Sequence, residues 1–197
     1  TMEDFLFYKM DSTCMPVVKF TNKVSVKPPH IHIKRQTEEF ILYFVLSGEM
    51  YLKEGSREYA LKPGDMLILD PHLVHCGTKA SSCTYFYIHF YHDRMAECSA
   101  PEELVKNELV SSRFAALQTD ECSIRKNPAS PILLPKHMHI GQPGAVMQLT
   151  ELLEQIKASH YNHLEHFQLN TGCLFLQFLI LLSRELTDSC LYEENFG

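Results

Sequence analysis

Three histidines stand where their rings could bind a metal ion or a polar ligand. His30 and His32 flank Ile31 at the start of a predicted strand, and alternation along a strand puts both rings on one face. His75 lies further along the chain, just past a turn at Asp70-Pro71. Imidazoles bind transition metals such as zinc, iron, manganese and nickel, and they also hydrogen-bond polar molecules. The spacing of the three residues therefore leaves both a metal centre and a ligand pocket open.

A second polar face lies on one long predicted strand, Cys83–Tyr91. Its alternating residues Tyr85, Tyr87 and His89 share one face, and apolar side chains occupy the other. Aromatic rings tipped with hydroxyl and imidazole groups suit a small polar ligand such as a sugar, through stacking and a few directed hydrogen bonds. The same tyrosines could instead fill the protein interior with their hydroxyl groups bonded to backbone, so the pattern alone allows either role.

The elements that would hold these residues are mostly strands, up to about residue 98. Short strands separated by turns containing Pro and Gly, such as Lys62-Pro63-Gly64-Asp65, are typical of a β-sandwich or barrel rather than a parallel α/β sheet. The predicted strands are Lys19–Lys27, Phe40–Leu46, Met50–Lys53, Arg57–Leu61, Met66–Leu69 and Cys83–Tyr91.

The pattern changes after Pro101, where helical spacing replaces alternation. A first helix is predicted over Glu102–Leu117, followed by an irregular segment with a short strand-like stretch at Ile132–Leu134. Apolar residues at helical spacing predict two further helices, Ala145–Ser159 and Leu164–Leu186. The chain therefore divides into residues 1–100, a barrel with an N-terminal arm, and residues 101–197, a helical region.

The composition excludes several classes of protein. The 197 residues carry a net charge of −6 without a cluster of Lys and Arg, so this chain alone is a poor partner for DNA phosphates. Seven cysteines, odd in number and never spaced as Cys-x-x-Cys, with no secretory signal ahead of them, indicate reduced thiols in a cytoplasmic protein. The longest apolar run, Leu174–Leu182, falls short of the ~20 residues that span a bilayer, so no membrane partner is expected.

Two stretches of the sequence resemble cupin motifs. Pro29-His30-Ile31-His32, with Gly48 at the end of an apolar strand, resembles the first motif, and Arg57-Glu58-Tyr59 with Lys62–His75 resembles the second. The variant that they most resemble, over residues 20–187, is the sugar-sensing N-terminal domain of AraC-type transcription regulators. The resemblance implies a mainly β chain with C-terminal helices: a cupin-like jelly-roll barrel followed by an α-helical hairpin. It also implies a helix-turn-helix DNA-binding domain further along the protein, which we expect to be absent from this chain.

The sequence departs from the metal-binding cupin pattern at two positions. Ile41 stands where a metallocupin has a glutamate, and His72 replaces a glycine of the second motif. Without that carboxylate no anionic ligand balances a divalent cation, so no metal cofactor is expected. The alternative is a stand-alone metal-dependent cupin enzyme, an isomerase or dioxygenase, with His30, His32 and His75 as metal ligands. No catalytic residue is predicted, because no Ser/His/Asp set, Cys/His pair or phosphate loop stands out.

The resemblance also implies a ligand pocket inside the barrel. The motif position of Ile41 puts Ile41, Tyr43 and Val45 inside, and in the family the last strand lines the effector site. The predicted ligand-binding residues are His30, His32, Tyr43, His75, Tyr85, Tyr87 and His89. The N-terminal arm, Met2–Val18, either folds over the ligand, docks elsewhere, or remains a disordered terminus.

These observations predict a regulatory sensor rather than an enzyme. The barrel would bind a small polar effector, a sugar or related metabolite, and a two-fold homodimer would pass the signal to DNA-binding domains that this chain lacks. A carbohydrate-binding module without regulation is a further alternative, which would be monomeric and would leave the long apolar hairpin unexplained. The predicted dimer interface is the apolar stripe of the hairpin: Leu149, Leu152, Leu153, Ile156, Leu169, Leu176, Leu179 and Leu186.

Overall fold

The computed structural model describes residues 4–124 and 129–196, with side chains described as far as Tyr192. The start of the predicted arm, residues 2 and 3, lies outside this part of the chain. The strands in chain order are β1 Phe5–Met10, β2 Val17–Val26, β3 Phe40–Gly48, β4 Met50–Glu54, β5 Arg57–Leu61, β6 Asp65–Leu69, β7 His75–Lys79, β8 Cys83–Tyr91, β9 Met95–Ala100, β10 Ile132–Pro135 and β11 His137–His139. The helices are α1 Glu102–Leu117, α2 Pro143–Asn162 and α3 Phe167–Phe196.

The strands pair into three antiparallel sheets. A central sheet has the order β11-β6-β3-β8-β2, and two smaller sheets have the orders β5-β4-β7 and β10-β1-β9. Because β3, β4, β6 and β8 supply side chains to one shared apolar core, the central sheet and the β5-β4-β7 sheet face each other. The predicted fold class is therefore confirmed: the chain is mainly β, with a cupin-like barrel followed by helices.

The central sheet has two different faces because its side chains alternate. Ile41, Tyr43 and Val45 of β3 belong to the core shared with the smaller sheet, as predicted for the inside of the barrel. Their neighbours Leu42 and Phe44 point the other way, into a core shared with α2 and α3. The sheet is thus a single layer between the barrel interior and the helices.

Helices α2 and α3 form the predicted hairpin and lie against this outer face. Pro143 begins α2, where a missing backbone N–H costs nothing, and His163 ends it in the left-handed conformation with φ of 49°. Only four residues separate the two helices, as expected for antiparallel neighbours. The second helix is longer than predicted, since it continues beyond Leu186 to Phe196.

The position of the hairpin corrects most of the predicted dimer interface. Six of the eight apolar residues are buried within this chain, at 0–7% exposure, and a buried side chain has no surface to offer a second copy. They pack on the outer face of the central sheet or beside α1: Leu149, Leu152, Leu153, Ile156, Leu179 and Leu186. Leu169, at 59% exposure, and the partly buried Leu176 keep accessible surface.

Over Phe167–Tyr192, α3 is long and apolar enough to cross a membrane. In the structure, however, Phe175, Phe178 and Leu182 of this helix are fully buried against the central sheet. On the face that contacts the sheet, α3 packs as a core helix, and 39% of its most apolar stretch is buried within the chain.

The segment after α1 joins the barrel rather than the helices. Its strand β10 pairs with β1, and β11 pairs with β6 and forms one edge of the central sheet. Between them Lys136 is buried, and its ammonium contacts the carboxylates of Glu54 and Glu97. The regions predicted as residues 1–100 and 101–197 therefore share sheets and a buried ion-pair network. The described part of the arm forms β1, between β9 and β10, and does not extend over the barrel as a lid.

Candidate functional site

A cavity of about 180 Å³ opens at one end of the barrel. Five of the seven predicted ligand-binding residues line it: His30, His32, Tyr43, His75 and Tyr85. They come from four parts of the chain, namely the segment before β3, strand β3, the start of β7, and strand β8. The rings of Tyr43 and Tyr85 lie 5.5 Å apart in an edge-to-face arrangement, and His32 lies 5.7 Å and 5.5 Å from them.

The irregular segment between β2 and β3 forms one wall of the cavity. It is tied to β7 by three backbone hydrogen bonds: Arg35 and His75 exchange a pair of 2.9 Å bonds, and Gly77 donates to the His32 carbonyl at 2.9 Å. Gly77 allows this close approach, because a Cβ atom there would lie 2.6 Å from the His32 backbone nitrogen. The position of the His32 ring thus depends on a glycine two residues beyond His75.

Two lining residues were not predicted, Ile33 and Arg35. Alternation from His30 and His32 would select residue 34 as the next residue on the same face. The segment is not a strand at this point, so the alternation rule does not apply and Arg35 faces the cavity instead. A weak signal was available in the sequence, since a Lys-Arg pair closely follows the His-Ile-His motif.

The Arg35 guanidinium sets the hydrogen-bonding state of His75. Its Nε lies 3.3 Å from His75 Nε2, and a guanidinium can only donate, so Nε2 accepts and the ring proton lies on Nδ1. Burial and the nearby Arg35 charge lower the pKa of His75 to about 4. Burial, with smaller effects of His30 and Arg35, lowers the pKa of His32 to about 4 as well. Both imidazoles are therefore neutral at pH 7.

Two ring nitrogens in this wall are buried without a hydrogen-bond partner. They are His32 Nε2 and His75 Nδ1. A buried polar atom left unpaired costs about 1–3 kcal/mol, so most native structures satisfy such atoms with protein groups, ordered water or a ligand. Within the described residues, these two nitrogens therefore mark the part of the cavity wall whose hydrogen bonds the protein does not supply.

Residues 25–119 match the model of the family described as the AraC-like ligand binding domain. This segment contains every residue that lines the cavity. The match covers just under half of the 197 residues and makes residues 25–119 similar to AraC-like ligand-binding domains. The resemblance noted in the two cupin motifs is thereby confirmed, and the cavity lies in the part of the chain that defines an AraC-like domain.

A longer curated protein is also similar to this chain. The "Uncharacterized HTH-type transcriptional regulator YisR" of Bacillus subtilis (strain 168) is 26% identical over 161 residues, which are 81% of this chain and 52% of YisR. The chain thus spans about half the length of this curated relative. Two solved structures are also similar: ToxT from Vibrio cholerae, with 11% identity over 83% of this chain and 54% of ToxT (TM-score 0.37), and a variant of Bacillus subtilis oxalate decarboxylase OxdC, with 12% identity over 75% and 41% (TM-score 0.33).

The other two predicted ligand-binding residues of this AraC-like domain lie further along β8. Tyr87 contacts the Tyr85 ring at 6.5 Å but does not line the cavity. His89 is four residues from Tyr85, roughly 13 Å along an extended strand, and its Nδ1 lies 2.8 Å from Glu39 Oε1. The structure therefore does not bring His89 to the cavity, because its ring is engaged in a separate buried cluster.

That cluster is a neutral histidine held between an ion pair and an aromatic ring. His89 stacks on Phe20 at 4.0 Å, while the Lys19 ammonium lies 3.0 Å from the other Glu39 oxygen. Burial opposes ionisation of Glu39, but hydrogen bonds from His89 and Lys19 outweigh it and lower the pKa of this carboxyl. Burial also lowers the pKa of His89, so the ring donates as a neutral group.

The metal-dependent alternative finds little support in the chemistry of the cavity. Among residues 4–124 and 129–196, no three or more His, Cys, Asp or Glu side chains are placed to hold a metal ion. His75 Nε2 already accepts from Arg35, and that guanidinium would repel a divalent cation at the same place. Ile41 offers no carboxylate at the position where a metallocupin has one. Together, His30, His32 and His75 form the wall of a ligand cavity more readily than a coordination sphere.

A larger cleft of about 250 Å³ lies between α1, α3 and β10. None of the predicted ligand-binding residues lines it, and much of it belongs to the chain beyond the AraC-like domain match. Its one guanidinium with a described carboxylate partner, Arg113, pairs with Asp188 at 2.9 Å. The smaller barrel cavity is therefore the better candidate, since it combines unpaired polar atoms with the family match.

Proposed function

We propose that this chain is the effector-sensing part of a cytoplasmic AraC-type transcription regulator that is not an enzyme. The barrel cavity binds a small molecule, and the bound state controls DNA binding by a C-terminal helix-turn-helix domain that lies outside this sequence. The observation that carries the proposal is the wall of the cavity. Two tyrosines, three histidines and an arginine surround about 180 Å³, with two ring nitrogens unpaired, inside the AraC-like segment.

The size and lining of the cavity favour a ligand of the size of a monosaccharide. Pockets for drug-sized ligands have volumes of roughly 300–1,000 Å³, and this one is smaller. Aromatic rings from Tyr43 and Tyr85 provide flat apolar surface, while their hydroxyl groups and the histidine nitrogens provide hydrogen bonds. A sugar or a related polar metabolite uses both kinds of contact.

The central sheet provides the physical connection between ligand and output. Tyr43 faces the cavity side, and the next residue, Phe44, packs its ring 6.4 Å from that of Phe178 in α3. A ligand that favours one arrangement of β3 and β8 would bias the hairpin packed on their other face, by its difference in affinity for the two arrangements. In a homodimer held together by the hairpin, that bias would change the relative placement of two DNA-binding domains.

A thermal-shift screen of monosaccharides and their acids tests the binding part of the proposal. We expect at least one compound to raise the melting temperature of the wild-type chain. Gly77→Ala should abolish the shift, because its Cβ displaces the backbone that carries His32. Gly144→Ala, at the start of α2, is the matched control, since nothing lies within 4 Å of its added methyl group. An equal shift in wild type and Gly77→Ala would place the ligand somewhere other than this cavity.

Sedimentation equilibrium of the same chain tests the assembly. The proposal expects a homodimer at micromolar concentration. A monomer under these conditions would contradict it and would favour a binding module that does not transmit a signal.

A further inference from the structure

Arg35 differs from the other arginines whose partners the structure shows. Arg57, Arg94 and Arg113 each have a carboxylate within 3.2 Å, from Glu97, Asp11 and Asp188. Within the described residues, no carboxylate lies within salt-bridge distance of Arg35. Its Nε donates to a neutral imidazole, and Arg35 is near enough to Tyr43 to oppose the rise that burial causes in the pKa of that hydroxyl. The positive charge of Arg35 at the cavity thus has no counter-charge from the described residues.

The rest of the cavity wall carries no negatively charged side chain. No Asp, Glu, Asn or Gln side chain is among the residues that line it. Arg35 presents donors only, and the unpaired Nδ1 of His75 is also a donor, because Nε2 accepts from Arg35. The Tyr43 hydroxyl completes this set on the same side of the cavity.

An unpaired positive charge at the cavity favours some ligands over others of similar size. Each hydroxyl of a neutral sugar both donates and accepts, and the side-chain acceptors for its protons here are confined to histidine nitrogens and tyrosine hydroxyls. A carboxylate or a phosphate monoester presents acceptors only, carries the missing negative charge, and can take two parallel bonds from a guanidinium. Charge-assisted hydrogen bonds of this kind are also the stronger ones.

We infer that the effector of this domain is acidic: a sugar-sized molecule whose carboxylate or phosphate group binds Arg35 at the cavity mouth, with its body between Tyr43 and Tyr85. This inference rests on the proposed sensing function and adds the chemical class of the ligand. Ile33 and Arg35 both line the cavity and are both exposed, so an anionic group bound to Arg35 lies near solvent while the body of the ligand enters the barrel.

Calorimetric titration with matched sets of compounds tests the inference. The probes are D-glucose, D-glucuronate and D-glucose 6-phosphate, and the corresponding galactose set, at constant pH and ionic strength. In the wild-type chain at least one acidic member should bind about tenfold or more tightly than its neutral parent. Comparing the uronate with the phosphate in each set then identifies which acidic group the cavity takes.

Two variants with the same change in net charge separate a specific contact from general attraction. Arg35→Gln should weaken the acidic probe about tenfold or more and weaken the neutral parent by a clearly smaller factor, as expected for loss of one charge-assisted contact at a residue that also lines the cavity. Lys34→Gln removes the neighbouring positive charge, which is exposed and does not line the cavity, and should leave both within about threefold.

The other outcomes each count against the inference in a different way. Equal weakening in both variants would mean long-range attraction without a contact to Arg35. A neutral sugar that binds as tightly as its acid would overturn the acidic class and leave the sensing function standing. If no probe bound the wild-type chain at millimolar concentration, both the acidic class and the proposed sugar-sized effector would be contradicted.

Discussion

The two faces of the central sheet are made by the same strands but have different roles. On β8, Phe86, Ile88 and Phe90 are 0% exposed and pack in one core with α2 and α3. On the other face of the same strand, Tyr85 lines a cavity whose wall contains unpaired polar atoms. The outer face is covered by apolar contacts, whereas the inner face borders a cavity whose wall contains unpaired polar atoms.

This difference indicates where the stability of the fold and where its ligand specificity reside. Close apolar packing gains most of the free energy of folding and tolerates little change in volume. An unfilled cavity with buried unpaired nitrogens costs free energy in the unliganded state, and a ligand that satisfies those groups recovers it. Substitutions on the outer face should therefore act on folding, and substitutions on the inner face on binding.

The largest effect is expected from Phe178→Ala on the outer face. Phe178 is fully buried, with its ring 6.4 Å from Phe44 and 6.3 Å from Phe175. Its truncation should lower the free energy of unfolding by about 3–5 kcal/mol, measured by urea denaturation. Phe114→Ala makes the same change at a ring that is 55% exposed on α1 and should cost far less. Equal losses in the two variants would contradict the distinction between the faces.

A smaller effect is expected at the cavity beside the inner face, from His75 of the facing sheet, when the pH is lowered. The pKa of His75 is about 4 in the native chain, against an ordinary value of 6.5. At a pH between these two values the imidazole is protonated in the unfolded chain and neutral in the native chain. Stability should therefore fall as the pH drops from 6.5 towards 4, by on the order of 2 kcal/mol from this residue. Well above the ordinary pKa this residue contributes no pH dependence.

Comparison with His75→Asn isolates this contribution. Asparagine keeps a polar side chain but cannot titrate, so the variant should lose less stability than wild type over the same pH range in urea denaturation. Glu39, whose pKa is lowered by His89 and Lys19, also loses stabilisation as the pH falls, and it does so in both proteins. Identical slopes for the two chains would show that His75 is not held neutral by the fold.

The sequence predicts local elements well where the pattern and the burial agree. The bounds of α1, β5 and β8 match the predicted ones residue for residue, because strong helix spacing or strict alternation is bounded by clear turn or cap residues. Strand β7 was not predicted: it contains Gly77, has little β propensity, and exists because β4 pairs along it. Strand β1 likewise depends on partners distant in sequence.

The residues of the candidate site likewise divide into those that a local pattern predicts and those that it does not. Tyr43 and Tyr85 could be placed because strand alternation is local, whereas Arg35 could not, because an irregular backbone carries no periodicity. The leucines of α2 and α3 show a related ambiguity. An apolar stripe indicates that a helix face is buried, but not whether its partner is another copy or, as for Leu153 and Leu179, the sheet of the same chain.

A still smaller effect on folding is expected from Tyr85→Phe on the inner face. Removing one hydroxyl group from the cavity wall deletes no described hydrogen bond, so the free energy of unfolding should change by no more than about 0.5 kcal/mol. Binding of the compound that shifts wild type in the thermal screen should weaken about five- to tenfold, measured by calorimetry. A large loss of stability with unchanged binding would mean that Tyr85 fills the barrel rather than contacts a ligand.

The smallest effect on folding is expected from Leu169→Ala, which tests what remains of the predicted dimer interface. Leu169 lies near the start of α3 and is 59% exposed, so its truncation should change the free energy of unfolding of the monomer by no more than about 0.5 kcal/mol. If the hairpin forms a two-fold contact there, the substitution removes one leucine from each subunit by symmetry, and it should raise the dimer dissociation constant about tenfold in sedimentation equilibrium. Leu104→Ala, at a similarly exposed leucine on α1, is the control and should leave the dissociation constant unchanged. If Leu104→Ala weakened the dimer and Leu169→Ala did not, the interface would lie on α1, and the hairpin would serve only to cover the central sheet.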